Sequence, residues 1–409
     1  MTQAEIEALD LSDPLAAKRE AFAIPEGLVY LDGNSLGVLP KAVQQHLEHV
    51  VTEQWGRDLI RSWNTHGWVD LPLKVGGKIA RLIGAEEGEV VAADSTSVNL
   101  FKVLLAALKL RPERKVIVSD IDNFPTDLYI AQGVVQLLGT FELRLVKKNE
   151  IEAALDHQTA VLMLTEVDYR TGYRYDMAGL TRLAHDKGAL VIWDLAHSAG
   201  AFPVHLNRHG VDFAVGCGYK YLNGGPGAPA FLFVARRHQP HAFPFLSGWM
   251  GHQAPFTFVP EYVAAEDIRR LTVGTPAVLS MSALDAALEV FADVDLEVVR
   301  EKSLKLTDLF IDLMAPLAAR YGFELVTPRE HVRRGSQVSY RHPEGYAIMQ
   351  ALISQGVIGD FRAPDIVRFG FTPLYLRFAD VWEAVQRLDR VMRQALWKDP
   401  RFHQRAKVT

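Results

Sequence analysis

Between Glu89 and Ala235 the chain alternates short runs, most of them continuously apolar, with stretches that have helical periodicity. Continuous apolar runs are typical of strands covered on both faces, and their alternation with helices indicates a mostly parallel sheet between helical layers. Seven runs are strand candidates: Glu89–Ala93, Lys115–Val118, Glu142–Val146, Ala160–Leu164, Ala189–Trp193, Phe213–Gly216 and Ala230–Val234. The sequence therefore predicts an α/β protein whose large domain is built on a mostly parallel, seven-stranded sheet.

The pattern changes after the last of these runs. Leu279–Met314 has helical periodicity and contains neither Gly nor Pro; short strand candidates follow, and a final helix is predicted over Phe378–Leu396. This part is typical of a smaller α+β domain. We predict residues 1–60 as an N-terminal segment that packs with the small domain, residues 61–290 as the large domain and residues 291–409 as the small C-terminal domain.

Composition narrows the classes of function. With 44 Lys and Arg against 49 Asp and Glu, the formal net charge is -5, which gives no basic field for nucleic acid. The sequence has no run of about 18 apolar residues to span a membrane, and its acidic N-terminus lacks the apolar core of an export signal. The single cysteine, Cys217, excludes an internal disulfide and a thiolate metal cluster. We expect a cytoplasmic globular protein without nucleic-acid, membrane or metal partners.

Ligands of an open parallel sheet bind beyond the carboxyl ends of its strands, so the residues after each apolar run form the candidate site. Asp94-Ser95-Thr96-Ser97 follows the first run and opens a helix, where hydroxyls and backbone N–H groups suit a phosphate, although a simple N-cap explains the same residues. Phe124 and Asp127 follow the second run. They suit stacking on a flat ring and acceptance of a hydrogen bond, or an ordinary turn before a helix.

Asp194 ends one run and Lys220 follows the next. A carboxylate in an apolar sheet is costly unless it is paired, and a pyridinium nitrogen would pair with it, with His197 near enough to help. Burial lowers the pKa of a Lys and makes it a Schiff-base nucleophile. Taken alone, Asp194 is equally a helix cap and Lys220 a surface residue in a loop. Together they form the electron-sink arrangement of enzymes that use pyridoxal 5'-phosphate (PLP), so we predict PLP as the cofactor, held by Lys220.

Five segments resemble a known family. Tyr30–Gly37 (YLDGNSLG), Asp194–His197 (DLAH), Tyr219–Asn223 (YKYLN), Gly248–His252 (GWMGH) and Arg368–Tyr375 (RFGFTPLY) look like those of kynureninases, PLP enzymes of fold type I in the aminotransferase class V group. The resemblance covers nearly the whole chain. It implies hydrolysis of L-kynurenine to anthranilate and L-alanine, in tryptophan catabolism and NAD biosynthesis. It also implies a homodimer with sites at the subunit interface.

The resemblance further implies roles for single residues. Lys220 is the Schiff-base lysine that also moves protons, Asp194 pairs with the pyridinium, and Tyr219 holds the cofactor and serves as an acid–base partner. Arg368 would bind the substrate α-carboxylate with its bidentate fork; judged without the family, it is an ordinary surface charge beside a strand. The other cofactor-binding residues implied are Thr96, Ser97, Phe124, Asp127, Thr165, His197, Trp249 and Thr275.

Two positions depart from the animal members of the family. Thr275 stands where they carry Asn, and Trp63 lies near where they carry His, which is similar to the bacterial branch and predicts kynurenine as a better substrate than its 3-hydroxy form. Three alternatives stay open. The first is a cysteine desulfurase of the same fold group, for which the only cysteine, Cys217, sits just before Lys220. The others are a class V aminotransferase, which would depend on a keto acid, and a non-catalytic PLP-binding regulator.

Overall fold

The computed structural model of the chain describes residues 3–406. In chain order the strands are β1 (Val29–Tyr30), β2 (Val90–Ala92), β3 (Val116–Asp120), β4 (Glu142–Val146), β5 (Thr159–Thr165), β6 (Leu190–Asp194), β7 (Phe213–Gly216), β8 (Phe231–Val234), β9 (Glu324–Leu325), β10 (Gln337–Arg341), β11 (Val357–Ile358), β12 (Asp360–Arg362) and β13 (Ile366–Gly370). The α-helices are α1 (Gln3–Leu11), α2 (Lys41–His49), α3 (Ser62–Thr65), α4 (Leu71–Ile83), α5 (Thr96–Lys109), α6 (Pro125–Leu138), α7 (Ile151–Ala154), α8 (Met177–Asp186), α9 (Val278–Ala287), α10 (Leu296–Tyr321), α11 (Gly345–Ser354) and α12 (Phe378–Arg393).

The chain forms two compact units. The larger unit consists of residues 42–168 and 175–289. The smaller unit contains the described residues up to Lys41, residues 169–174 and the described residues from Val290 onward. None of the helices within residues 3–406 combines the length and the hydropathy that a membrane-spanning segment needs.

The larger unit is built on one seven-stranded sheet, with the strand order β2-β8-β7-β6-β5-β3-β4. β8 pairs antiparallel with both of its neighbours, and the pairs from β7 to β4 are parallel. Every residue of β5, β6 and β7 is buried, as expected of strands between helical layers. These observations confirm the predicted mostly parallel, seven-stranded sheet.

Helix α5 lies in the core of this unit because it is apolar on nearly all sides. Its Val103, Leu104 and Ala107 are fully buried and belong to one apolar cluster with residues of the strands. A helix of this kind is stable only when it is covered all round. Its burial fixes its N-terminus, which directly follows β2, at one end of the sheet.

The stretch Leu279–Met314, which has continuous helical periodicity in the sequence, is divided into two helices in the structure. The structure has α9, a 3-10 turn over Leu288–Phe291 and then α10, which continues past Pro316. Asp295 has extended backbone angles (φ -83, ψ 119), and its side chain accepts a hydrogen bond from the Glu297 N–H, so a new helix begins there. The apolar periodicity runs on across this break, which is why the sequence pattern does not reveal it.

The smaller unit is α+β, as predicted. A four-stranded antiparallel sheet with the order β12-β13-β10-β9 packs with α10, whose Phe310 lies against Phe369 at a ring-centroid distance of 4.9 Å. β1 pairs in parallel with β11, and Asp10 at the end of α1 accepts hydrogen bonds from the first N–H groups of α12. These contacts tie the N-terminal segment to the unit.

The sequence predicts that residues 1–60 accompany the small domain. In the structure the smaller unit takes the chain only as far as Lys41, and residues 42–60 belong to the larger unit. The physical reason is α2, whose Val43 and Leu47 pack against Ala283 and Ala287 of α9. Burial of Val43 stabilises the contact by roughly 1.5–3 kcal/mol, and the partly buried Leu47 adds less.

Candidate active site

The carboxyl ends of β5, β6 and β7 bring together several of the predicted residues. Thr165 and Asp194 are the last residues of β5 and β6 and are paired in register. Thr165 Oγ1 donates to the main-chain oxygen of Asp194 at 3.4 Å. Lys220 follows β7 after a short turn. Because the three strands are parallel neighbours, these residues lie at one edge of the sheet, where α/β proteins bind ligands.

Lys220 stands at the centre of this group. Its Nζ lies 3.1 Å from His197 Nε2, 5.9 Å from the centroid of the Phe124 ring and 5.7 Å from that of Tyr219. Phe124 precedes α6, and 39% of its surface is exposed. An exposed aromatic face beside a lysine is a surface on which a flat ring can stack.

Two buried carboxyl groups, Asp127 and Asp194, face each other in the same region. Asp194 Oδ1 accepts a hydrogen bond from the Ala196 N–H at 2.8 Å. Burial raises the pKa of Asp194, although the nearby Lys220 opposes the rise. Burial, together with the charge of Asp194 and a hydrogen bond to it, raises the pKa of Asp127 well above its ordinary value. The pair therefore favours a shared proton or a ligand that brings a positive charge.

The N-terminus of α5 supplies hydroxyl groups. Ser95 is the N-cap, since its Oγ accepts a hydrogen bond from the Val98 N–H at 3.3 Å. Thr96 and Ser97 are the first helical residues and are half-buried, so the capping alternative applies to Ser95 and not to them. Asp94, which precedes the cap with φ +46, is bound by the buried Lys102 at 2.7 Å. Thr96 and Ser97 thus stand where a helix N-terminus favours an anion.

Trp249 and Thr275 form a second group of the predicted residues. The Met250 N–H donates to the Val273 carbonyl at 3.2 Å, so the two residues lie on neighbouring segments. A Cβ at Gly248 would stand 2.1 Å from that carbonyl oxygen, which is why glycine is required there. The Trp249 ring is half-exposed and packs against Phe256 and Phe258. Thr275 lines a cavity of about 330 Å³ together with Asp94 and His252.

Arg368 belongs to the smaller unit and lies in β13 with 1% of its surface exposed. Its Nε and Nη2 donate to the two carboxylate oxygens of Asp360, Nε at 2.8 Å. Nη2 also donates to Ser35 Oγ at 2.9 Å, and Nη1 donates to the main-chain oxygen of Tyr169 at 2.6 Å. Arg368 is therefore not the ordinary surface charge that its sequence context alone suggests.

Sequence reasoning missed the partners of this arginine. Asp360 and Arg362 share one face of the short strand β12, and Arg362 also binds the Asp360 carboxylate, at 2.7 Å. Charged residues at alternate positions of a strand were a usable signal, because they indicate a polar face. Asp32 and Ser35 lie in the segment Tyr30–Gly37, which resembles the family but contains none of the predicted site residues.

Comparison with known proteins decides the family. A kynureninase from Deinococcus radiodurans is 57% identical to this chain over 394 residues, which cover 95% of this chain and 96% of that protein. The chain belongs to the kynureninase family. Kynureninases from Burkholderia pseudomallei and Pseudomonas fluorescens are each 52% identical, over 100% and 98% of both chains. The predicted resemblance to kynureninases is thus confirmed.

Two family descriptions match parts of the chain. The kynureninase C-terminal domain matches residues 299–388. The DegT/DnrJ/EryC1/StrS aminotransferase family matches residues 73–205, which include β2 to β6. The kynureninase match therefore lies in the smaller unit, and the aminotransferase match lies in the part that carries Thr96, Phe124 and Asp194.

More distant solved structures share the fold. The cysteine desulfurase CsdA from Escherichia coli has a TM-score of 0.77 and 22% identity, covering 93% of this chain and 98% of that one. A mutant of C-DES with glycine covalently linked to the PLP-cofactor has a TM-score of 0.78 and 18% identity, covering 90% and 98%. At such identities the likeness concerns the fold alone, and it confirms fold type I.

The single cysteine argues against the desulfurase alternative. Cys217 is only 4% exposed, and its Sγ lies 3.9 Å from the Ala196 carbonyl oxygen. Burial raises the pKa of its thiol. Sulfur transfer needs an accessible thiolate, and a buried thiol with a raised pKa is inert. The kynureninase from Deinococcus radiodurans is a full-length relative at 57% identity, whereas the desulfurase CsdA, at 22% identity, shows likeness of the fold alone.

Proposed function

We propose that this chain hydrolyses L-kynurenine to anthranilate and L-alanine, with PLP as its cofactor and Lys220 as the residue that holds it. Membership of the kynureninase family supports the reaction. The buried Asp127–Asp194 pair beside Lys220 is the structural observation that carries the cofactor assignment, because a pyridinium N–H supplies the positive charge that this pair favours.

The residues present fit PLP at three points. Asp194 suits the ring nitrogen, and the half-exposed Phe124 ring offers a stacking face beside Lys220. Thr96 and Ser97 at the start of α5 suit the phosphate. These roles, and those of Asp127, Thr165, His197, Tyr219, Trp249 and Thr275 as further cofactor-binding residues, are proposals that rest on the family and on this fit.

PLP, when bound, withdraws electrons from the substrate α-carbon. In the proposed mechanism Lys220 Nζ removes and returns the proton at that carbon, and its contact with His197 Nε2 at 3.1 Å orients the amine. Tyr219 is the acid–base partner while water adds to the γ-carbonyl. The bond between the β- and γ-carbons then breaks, anthranilate leaves, and the β-carbon takes up a proton to give the methyl group of alanine. Asp194 keeps a proton on the ring nitrogen. Arg368 attracts the α-carboxylate with its charge, because its Nε–Nη2 fork already holds Asp360 and is not available for the predicted bidentate contact.

We also propose that the protein works as a cytoplasmic homodimer with sites at the subunit interface, in tryptophan catabolism and NAD biosynthesis. Five exposed aromatic residues of one segment support a subunit contact: Phe243, Phe245, Trp249, Phe256 and Phe258. An apolar surface of this kind marks an interaction site more often than bare solvent contact. Sedimentation of the purified protein should give twice the mass of one chain.

The proposed substrate preference is kynurenine over 3-hydroxykynurenine. Thr275 is shorter than the Asn of the animal enzymes, and the Trp63 ring packs edge-on against Trp68 at 5.8 Å. Such residues offer few polar groups to an extra ring hydroxyl, and a site gains from a hydroxyl only where it can bond it. A higher kcat/KM for 3-hydroxykynurenine would contradict this preference while leaving the family unaffected.

One experiment tests the reaction and the cofactor together. The purified protein should be yellow and should convert kynurenine to equal amounts of anthranilate and alanine. Borohydride should fix the cofactor on Lys220, as seen by peptide mapping, with Lys187→Ala as a matched surface control. Label on another lysine would contradict the assignment of Lys220. Turnover that requires a keto acid would instead indicate the aminotransferase, and intact cofactor without turnover would indicate the regulator.

A further inference from the structure

A compact group of charged and polar side chains surrounds Arg368 in the smaller unit. We call it the Arg368 cluster, and it consists of Asp32, Ser35, Asp360, Arg362 and Arg368. The segment with Asp32 and Ser35 reaches β13 through a hydrogen bond from the Gly370 N–H to the Leu31 carbonyl at 2.7 Å. A Cβ at Gly370 would stand 2.0 Å from a terminal atom of the Asn34 side-chain amide, so this approach needs a glycine.

Asp360 is the hub of the Arg368 cluster. Its carboxylate, 2% exposed, accepts hydrogen bonds from Arg368 Nε and Nη2, from Arg362 Nη2 at 2.7 Å and from Ser35 Oγ at 2.7 Å. The bidentate contact fixes the plane of the Arg368 guanidinium. Ser35 Oγ in turn accepts from both arginines, at 2.9 Å and 3.3 Å. A buried arginine held at so many points has one orientation.

Asp32 is the second acid of the cluster, and its carboxylate is not bound directly by either arginine as that of Asp360 is. Burial and the neighbouring Asp360 charge raise the pKa of Asp32 to about 7, while Arg368, Ser35 and Arg362 oppose the rise. The charged groups that face it are Asp360 and Arg362 of β12 and Arg368 of β13. Tyr30 of β1 also faces it, and burial together with the Asp32 and Asp360 charges raises the pKa of that phenol, so Tyr30 stays neutral.

The net charge of the cluster depends on Asp32. The two arginines and the ionised Asp360 leave one positive charge when Asp32 is protonated, and none when Asp32 is ionised. A ligand carboxylate is attracted to the first state and not to the second. The amide of Asn34 is satisfied when its Nδ2 donates to Asp32 Oδ1 at 3.3 Å and its Oδ1 accepts from Arg368 Nε at 3.1 Å, which links Asp32 to the guanidinium.

We propose that Asp32 and Asp360 are positioning residues for the α-carboxylate of the substrate: Asp360 fixes the Arg368 guanidinium, and protonation of Asp32 gives the cluster the positive charge that binds the carboxylate. This inference rests on the proposed function of Arg368. It adds that Asp32 is protonated when the substrate carboxylate binds.

The proposal has a thermodynamic consequence. A carboxylate that binds beside Asp32 favours its protonated form, so the two binding events are positively coupled. Above pH 7, where Asp32 is ionised in the free enzyme, carboxylate binding takes up a proton. Affinity should fall with rising pH by up to about tenfold per pH unit, and below that range it should be level.

Calorimetry of the holoenzyme tests this without turnover. L-alanine, the proposed product, is titrated into wild type and Asp32→Asn in two buffers of different ionisation enthalpy, at pH 6 and pH 8. At pH 8 the wild type should take up nearly one proton more than Asp32→Asn, and at pH 6 the two should agree. L-alaninamide, which has the amine but no carboxylate, is the matched ligand control. For it, the difference between the two proteins should vanish.

The outcomes separate this proposal from the proposed reaction. Failure of the wild type to form anthranilate from kynurenine contradicts the proposed reaction. The number of protons taken up with alanine then still tests the proposed role of the Arg368 cluster. An equal proton count in wild type and Asp32→Asn at pH 8 overturns the role of Asp32. Absence of any preference for alanine over alaninamide overturns the carboxylate site itself, as does Arg368→Ala with unchanged alanine affinity.

Asp360 is tested by steady-state kinetics. Asp360→Asn should raise KM for kynurenine roughly ten- to hundredfold with kcat within about twofold, because misplacement of a binding group by about an ångström costs on that scale. Asp360→Glu, which keeps the charge, should recover part of the loss. Retained cofactor absorbance and an unchanged melting temperature serve as checks of folding. A fall in kcat without a rise in KM, or no rescue by Asp360→Glu, would overturn the positioning role.

Discussion

Asp194 and Asp212 are buried acids on adjacent strands of the same sheet, and their surroundings differ in kind. Asp194 ends β6, and Asp212 immediately precedes β7, so they stand at opposite ends of the parallel strands. Asp212 accepts hydrogen bonds from His185 Nε2 at 2.8 Å and from His238 Nε2 and Arg237 Nη2 at 2.7 Å. Burial alone would raise the pKa of Asp212, but the hydrogen bonds from the two histidines hold it far below its ordinary value.

Within residues 3–406, the hydrogen-bond partners of the Asp194 carboxylate are only the Ala196 N–H and the Asp127 side chain. Burial raises the pKa of Asp194, Lys220 only partly opposes this, and its neighbour is a second acid, Asp127. The chain thus balances the charge of Asp212 with its own side chains, and we propose that the bound cofactor balances that of Asp194. We infer from this comparison that burial alone does not identify a functional carboxylate. Burial without a balancing positive charge is the better indicator.

The sharpest test of this comparison removes the charge of Asp194. Asp194→Asn should lower kcat for kynurenine by about 10³-fold, near 4 kcal/mol, because the ring nitrogen of the cofactor loses its anionic partner. The free energy of unfolding of the cofactor-free protein should not fall, since no satisfied ion pair is broken. Stopped-flow and steady-state assays measure the first, and urea denaturation measures the second. A kcat within tenfold of wild type would show that the charge of Asp194 is not needed for the reaction, and the contrast with Asp212 would then be wrong.

The converse substitution is Asp212→Ala. It leaves His185, His238 and Arg237 without their shared acceptor, as well as the buried Val191 N–H, and should lower the free energy of unfolding by about 1–3 kcal/mol, the scale expected when a buried donor loses its partner. At a temperature where the variant is folded, kcat should stay within about twofold of wild type. A strong loss of activity in fully folded protein would show that Asp212 is not purely structural.

The two aspartates should also respond to pH with opposite sign. The pKa of Asp212 is depressed, so its stabilising contribution is present above the ordinary pKa of an Asp, near 4, and is lost as pH falls below it. The pKa of Asp194 is raised, so in cofactor-free protein its contribution is present below about pH 4 and is lost as pH rises through the raised value. Urea denaturation of wild type, Asp194→Asn and Asp212→Asn across pH should show differences that change in these opposite directions.

The smallest effect is expected at the second acid. Asp127→Asn keeps a hydrogen-bond donor for Asp194 but removes the competing carboxyl, so Asp194 should ionise more readily. We expect kcat within roughly tenfold of wild type and a shift of the acidic limb of the pH profile toward lower pH. An effect as large as that of Asp194→Asn would mean that the two acids act as one unit.

The sequence predicts the region of Asp194 better than that of Asp212, for a physical reason. Asp194 and Lys220 follow apolar runs, and the rule that ligands bind at the carboxyl ends of parallel strands needs only the order of the strands. Asp212 precedes its strand, and its partners His185 and His238 come from distant parts of the chain. No local pattern brings such residues together.

In the fold as well, features with a local sequence signal were predicted and features that depend on tertiary contacts were not. All seven strands of the large sheet were predicted, six of them because each is a buried run with its own signal; the edge strand β4, which is only partly buried, was predicted as well. The break between α9 and α10 was missed because it depends on one capping side chain, that of Asp295. The Arg368 cluster was missed because its members lie on β12, β13 and the loop after β1, and only the tertiary fold brings them together.

Cys217 has a consequence for experiment. Its thiol is the only one in the chain, lies beside the sheet edge that carries Lys220, and is shielded from solvent. A thiol reagent added to the native protein can react only when this part of the sheet opens, so the labelling rate reports the local opening equilibrium. A second cysteine introduced at a surface position would react at once, so a dye can be attached there selectively. The slower labelling of Cys217 would then still measure local opening of the sheet.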